Sequence, residues 1–315
     1  MDYIQLIAGL IILVIGGESL VKGAVSIALR AKISSLVIGM TVVSFGTSAP
    51  ELLVSLQAAL TGHPDVSVGA VVGSNISNLG LVLGITVLIF PILVHRDSLR
   101  IDWPIMMLST LLFFGFALDG KIDFYEGLVF VIILVAFTSW LIVRSRIQGK
   151  ALVVEKEITN EGKSNSTFKD VTLLIVGISG LYFGAEWLID SVVNIAESHN
   201  ISEKLISVTV VAFGTSLPEL VTSVMASIRK ESDLSVGNLI GSNLFNIFAI
   251  LGITAIVEPI SVTDSINNFD VYFLLLISFI ILPFMLFGKY FGRAKGIFLV
   301  LFYAVYVYFS IASEI

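Results

Sequence analysis

Ten hydrophobic stretches alternate with polar connections along the chain, at roughly 3–21, 33–60, 67–92, 103–118, 125–143, 171–190, 204–228, 236–257, 269–287 and 296–312. A helix rises 1.5 Å per residue, so about 20 apolar residues cross the ~30 Å hydrocarbon layer of a bilayer. Each stretch therefore predicts a membrane-spanning helix. One polar connection is long, Arg144 to Asp170, and it carries Lys150, Glu155, Lys156, Glu157, Glu161 and Lys163. It reads as a solvated linker (144–170) between a first half, 1–143, and a second half, 171–315. The fold class that follows is an all-α polytopic membrane protein of ten transmembrane helices.

Composition sharpens this picture. Of 315 residues 56% are hydrophobic and 13% charged, against about 25% charged in soluble domains. The chain has no cysteine, which removes disulfides, thiolate metal sites and cysteine nucleophiles. The opening residues MDYIQLIAGL lack the basic region and cleavage site of a signal peptide, so the first helix is expected to remain in the mature protein. Nothing points to nucleic acid, to a cofactor or to an obligate protein partner. With the N-terminus placed outside, the cytoplasmic connections collect 16 of the 18 Lys and Arg residues, leaving Lys121 and Lys204. That asymmetry is what positive-inside topology requires. It puts both termini outside and the linker in the cytoplasm, in a multi-pass protein of the cytoplasmic membrane.

The chain also repeats itself. An offset of 168 residues superposes Glu18 on Glu186, Thr41 on Thr209, Glu51 on Glu219, Gly73-Ser74-Asn75 on Gly241-Ser242-Asn243 and Gly84-Ile85-Thr86 on Gly252-Ile253-Thr254. Five helices per copy is an odd number, so the copies enter the membrane from opposite sides. Two inverted five-helix repeats are typical of secondary transporters, whose ion sites lie near the midplane at the repeat interface.

The chemistry sits in two duplicated motifs. Ser44 to Ser55 reads SFGTSAPELLVS and Ala212 to Ser223 reads AFGTSLPELVTS. Each places a carboxylate in the middle of a hydrophobic run, where a charge costs on the order of 3 kcal/mol. Proline disfavours helical geometry before it and removes a backbone donor, and glycine loosens the turn. The helices are therefore expected to break near Gly46 and Gly214 and to restart at Ser48 and Ser216. Thr47 and Glu51, like Thr215 and Glu219, are four residues apart and share a face. Ser48-Ala49-Pro50-Glu51 and Ser216-Leu217-Pro218-Glu219 also fit a capping box. The cost of a carboxylate at membrane depth favours ion binding over capping alone.

The second motif is Gly73-Ser74-Asn75-Ile76-Ser77-Asn78, matched by Gly241-Ser242-Asn243-Leu244-Phe245-Asn246. Ser74 with Asn78, and Ser242 with Asn246, share a helix face, and such residues alone commonly serve as interhelical hydrogen-bond glue. Duplication in step with the glutamates argues for ion contact instead. Two glutamates with Ser, Thr and Asn oxygens suit calcium, which takes six to eight oxygen ligands in flexible geometry. His63, His95 and His199 fall in connections, which argues against zinc, copper and iron.

These paired motifs, GTSAPE with GSNISN and GTSLPE with GSNLFN, resemble the two α-repeats of the prokaryotic-type sodium/calcium exchangers in the calcium:cation antiporter superfamily. The resemblance covers both halves. It implies the ten-helix inverted-repeat fold and exchange of Na+ for Ca2+ by alternating access, with helices 1 and 6 sliding as gates. It implies Glu51 and Glu219 at the centre, bridging calcium and sodium positions. Thr47, Ser48, Thr215 and Ser216 would add hydroxyls or carbonyls, and Ser74, Asn78, Ser242 and Asn246 would come from flanking helices. The carbonyls of Ser44 and Ala212 would border the sodium sites. Potassium-dependent relatives carry an aspartate where this chain has Asn246, so exchange independent of K+ is expected.

Charge gives the mechanism. One Ca2+ or two Na+ neutralise the two glutamates, so shared ligands make occupancy by one ion exclude the other. Two alternatives stand beside this reading: proton-coupled Ca2+ antiport, and, from another class, an intramembrane hydrolase with a glutamate dyad. The second lacks a nucleophile or metal-activating partner beside the acids. Glu18 and Glu186, inside the first and sixth runs, are left between structural pairing and a role in ion access.

Overall fold

The computed structural model describes residues 2–63, 65–94, 96–156, 166–198, 214–262, 269–288 and 290–313. Their membrane helices are α1 (Asp2–Ala31), α2 (Ser35–Leu60), α3 (65–89), α4 (Ser98–Ala117), α5 (Phe124–Lys156), α6 (Thr167–Ser198), α7 (Leu217–Ile228), α8 (Ser232–Val257), α9 (Val271–Leu286) and α10 (Arg293–Ser313). Eight are long and apolar enough to cross a membrane, and α7 and α9 are shorter apolar helices. The protein is a multi-pass membrane protein of ten transmembrane helices in two inverted five-helix repeats.

Helix ends depart from the hydrophobic runs where side chains pair locally. The first run stops before Lys22, yet α1 continues to Ala31. Lys22 reaches back one turn to Glu18 at 2.7 Å, and Arg30 meets buried Asp170 of α6 at 2.6 Å. The stretch expected as a linker is likewise helical at both ends: α5 runs to Lys156 and α6 begins at Thr167.

Two short antiparallel pairings fix the topology. The connection after α3 carries β1 (Ile92–Leu93) and that between α4 and α5 carries β2 (Lys121–Ile122). Their counterparts are β3 (Ile260–Ser261) after α8 and β4 (Tyr290–Phe291) between α9 and α10. Ile92 pairs with Phe291 and Ile122 pairs with Ile260. Each pairing joins one half to the other and holds two connections on one membrane face. This is possible only if the halves run in opposite senses through the bilayer. The face bearing Asp2, Leu60 and Ser313 is termed the terminal face, and the opposite one the linker face.

Burial separates centre from periphery. In the most apolar windows of α3 and α8, 72% of residues are buried, against 33% or less in α1, α4, α5, α6 and α10. Those peripheral helices turn Ile4, Ile11, Ile132, Val135, Phe183, Leu301 and Tyr308 outward, as a lipid-facing surface requires. α1 and α6 lie antiparallel in close contact. A Cβ added at Gly16 would come within 2.8 Å of the Gly180 backbone, so these helices meet backbone to backbone.

Candidate cation site

The centre of the molecule is polar. Along α2, α3, α7 and α8, the side chains of Ser44, Thr47, Ser48, Glu51, Ser74, Asn78, Ser216, Glu219, Ser242 and Asn246 are all buried, with Glu219 at 0% exposure and Glu51 at 9%. The structure therefore gathers these ten predicted positions into one interior region. Thr215 differs in being exposed, and it lines the cavity described below. Ala212 lies outside the described residues, as do His95 and His199, whereas His63 is exposed in the connection after α2.

The local backbone differs from the sequence expectation in one half. α2 does not break near Gly46 or restart at Ser48: the segment Ser44–Leu60 is continuous, with Pro50 inside it. The irregularity lies one turn earlier, as a π-turn over Gly39–Val43. Pro50 still lacks the N–H that would bond the Gly46 carbonyl, so that oxygen is released without an unwound segment. Proline is tolerated in membrane helices where neighbours re-satisfy the backbone, which is why the motif alone did not settle the matter. In the second half the chain does turn, at Thr215 and Ser216, and α7 starts at Leu217 with Pro218 in its first turn. Further π-turns at Asn78–Val82 and Asn246–Leu251 flank the site in α3 and α8. Such bulges are frequent at functional sites, because the widened turn re-aims side chains.

The serines do not act as caps. The Ser48 hydroxyl lies inside a helix and donates across the repeat interface to Glu219 Oε1 at 3.1 Å. Ser216 occupies a cap position but makes no side-chain capping bond. Thr47 Oγ1 lies 3.4 Å from both Ser242 Oγ and Asn238 Oδ1. Ser44 Oγ reaches the carbonyls of Gly39 at 2.7 Å and Asn238 at 3.0 Å, while its own carbonyl accepts from Thr47 at 3.3 Å. Asn246 Nδ2 donates to Ser74 Oγ at 3.1 Å and to Asn75 Oδ1 at 3.0 Å.

These bonds leave several buried polar atoms at the centre without partners, Asn78 Nδ2 and the Ser216 hydroxyl among them. Glu51 Oε1 and Oε2, Glu219 Oε2, Asn78 Oδ1 and Asn246 Oδ1 are buried and accept no hydrogen bond. Three of the four carboxylate oxygens are thus unpartnered, and no arginine, lysine or histidine pairs with either acid among the described residues. An unpaired buried carboxylate is too costly to persist, and a hard cation held by carboxylate, hydroxyl and amide oxygens is the chemistry this set provides.

A cavity of about 510 Å³ runs from Glu51, Ser74 and Thr215 at mid-membrane toward Asp190 and Ser310 near the terminal face. On the linker face the corresponding space is filled: Leu13, Leu20, Val21 and Ala24 of α1 are buried in one cluster with Leu217, Ala226 and Leu234.

Two groups of site residues were not selected from sequence. Asn238 bridges Ser223 Oγ at 3.1 Å and the Glu219 carbonyl at 3.4 Å. Its repeat counterpart is Ala70, so duplication carried no signal for it. Asn75 and Asn243 are duplicated, and Asn75 Nδ2 donates to the Asn243 carbonyl at 3.3 Å. Their place within both GSN motifs was the available signal.

The sodium/calcium exchanger protein family matches residues 1–143 and 169–312. The chain is 32% identical over 340 residues to sodium/calcium exchanger MaX1 of Methanosarcina acetivorans, covering 97% of each chain. It is 34% identical over 280 residues to inner membrane protein YrbG of Escherichia coli, covering 87% of this chain and 86% of that one. Among solved structures, the sodium-calcium exchanger NCX_Mj soaked with zero Na+ and Ca2+ superposes with a TM-score of 0.84 at 30% identity, covering 96% of this chain and 97% of that one. With a duplicated acidic centre between inverted halves and a family match across both of them, the chain belongs to the sodium/calcium exchanger protein family.

Proposed function

We propose that this chain exchanges Na+ for Ca2+ across the cytoplasmic membrane by alternating access, with Glu51 and Glu219 as the shared ligands. The observation that carries the proposal is the set of three unpartnered carboxylate oxygens buried where the two inverted halves meet. The names of MaX1 and NCX_Mj support sodium and calcium as the ions. Thr47, Ser48, Thr215, Ser216, Ser74, Ser242, Asn78 and Asn246 complete the shell, and the carbonyls of Ser44 and Ala212 border the sodium positions. The carboxylates supply a charge of −2, which one Ca2+ or two Na+ balance. A third Na+ leaves the loaded site positive and the cycle electrogenic. Because the ligands are shared, an ion of one kind leaves only when the other replaces it, which makes an exchanger instead of two leaks. The acids serve as ligands in a transporter, with no part in hydrolysis, and the protein works without a cofactor.

Asparagine at both 78 and 246 leaves two acids only, so the exchange runs without K+. The inner-membrane name of YrbG supports the cytoplasmic membrane. The Lys and Arg asymmetry supports termini outside and the linker in the cytoplasm. The terminal face is then extracellular, and the cavity opens outward.

The test is radioactive calcium uptake into liposomes holding the purified protein. An outward sodium gradient drives uptake with or without potassium. Uptake driven by a proton gradient and indifferent to sodium overturns sodium coupling in favour of proton exchange.

A further inference from the structure

We propose that Glu18 and Arg229 form a latch that holds the linker face closed, and that the repeat-related positions on the terminal face cannot form one. The proposal rests on alternating access but not on which ions are carried. Glu18, on the linker-side half of α1, is paired with Lys22 at 2.7 Å and with Arg229 Nη2, at the C-terminal end of α7. The pair with Arg229 ties α1 to the helix that carries Glu219. Between these charges and the site, α1 lies directly on α7: a Cβ added at Gly17 would meet Val221 Cγ1 at 2.8 Å. Inward opening has to separate these two helices, and it therefore has to break the ion pair.

The repeat offset of 168 maps Glu18 to Glu186, Lys22 to Asp190 and Arg229 to Thr61. The acid is kept, one cation becomes a second acid, and the other becomes a threonine. Glu186 and Asp190 line the open cavity. The Thr61 hydroxyl is spent on carbonyls of its own helix, Gln57 at 2.9 Å and Ala58 at 3.1 Å. Closing α6 onto α2 at the terminal face thus brings two acids together, with no cation among the described residues that line the cavity. The duplicated scaffold is nearly symmetric, and this charge difference is not. It weights the resting protein toward the state open to the terminal face.

Single-cysteine accessibility tests this, because the native chain has no cysteine. Val54→Cys reports the open cavity, and its repeat counterpart Thr222→Cys, buried in this state, reports the linker-face path. In vesicles of known orientation without Na+ or Ca2+, Arg229→Gln and Glu18→Gln should lower thiol labelling of Val54→Cys and raise that of Thr222→Cys. The change expected is about two- to fivefold, as for a partly exposed ion pair. The double variant Glu18→Arg with Arg229→Glu restores both patterns. Unchanged labelling in the single variants, or reporters that move in the same direction, overturns the latch. Ion-driven labelling changes that persist in these variants show that exchange survives, which separates failure of the latch from failure of the proposed transport.

Discussion

Ser48 and Glu219 are 171 positions apart and belong to halves that cross the membrane in opposite senses, yet the hydroxyl of one donates to Oε1 of the other at 3.1 Å. The bond spans the repeat interface at its most acidic point. A single half therefore holds an incomplete site, because the Glu219 carboxyl takes a hydroxyl from the other repeat.

Removing either carboxylate should abolish exchange. Glu51→Gln and Glu219→Gln keep side-chain shape while reducing the site charge to −1, which neither one Ca2+ nor two Na+ balances. Loss of a supporting group in a metal site already costs 10–100-fold in affinity, so loss of a central ligand should reduce sodium-driven calcium uptake at least about 100-fold. Uptake near the native rate in either variant overturns the assignment of the site.

Ser48→Ala should weaken calcium binding by about tenfold, because a hydrogen bond to a charged group contributes about 1.5–3 kcal/mol and its loss leaves Glu219 further unsatisfied. Concentration dependence of uptake measures this. Ser216→Ala, whose hydroxyl has no hydrogen-bond partner here, should have the smaller effect.

Asn246→Asp replaces a donor by a third acid. Asn246 Nδ2 now bonds Ser74 and Asn75 Oδ1, so the carboxylate would face oxygens and require a further cation or a proton. Exchange in this variant should gain a dependence on potassium or on pH beyond that of the native protein. Uptake assays with potassium added or withheld, across pH, read it directly.

Gly241 and Gly73 are repeat counterparts with opposite surroundings. A Cβ at Gly241 would meet Met40 Cα at 2.6 Å and also clash with Ser44 Oγ, whereas nothing lies within 4 Å of one at Gly73. Gly241→Ala should destabilise by roughly 1–3 kcal/mol through overpacking, and Gly73→Ala should stay within about 0.5 kcal/mol. Thermal unfolding in detergent compares them, and equal shifts contradict the packing described.

The number of crossings, the inverted duplication and the acidic centre were legible in the sequence because a bilayer enforces them. Backbone groups must be bonded internally, so apolar runs become helices, and a buried acid survives only with a purpose. An odd helix count then dictates inversion without any coordinates. Glu51 and Glu219 stood out for the same reason, since each had a visible cost and a visible duplicate.

What only the tertiary structure decided is where the two copies differ. Pro50 lies within a continuous helix while Pro218 follows a turn, although the motifs around them are nearly the same. Asn238 enters the site opposite a counterpart, Ala70, that has no polar side chain. The terminal face holds a cavity where the linker face is packed. Duplicated sequence treats the halves alike, and a protein that opens to one face at a time has to hold them in different conformations. That choice rests on contacts between helices distant in the chain, which the motifs shared by the two repeats do not encode.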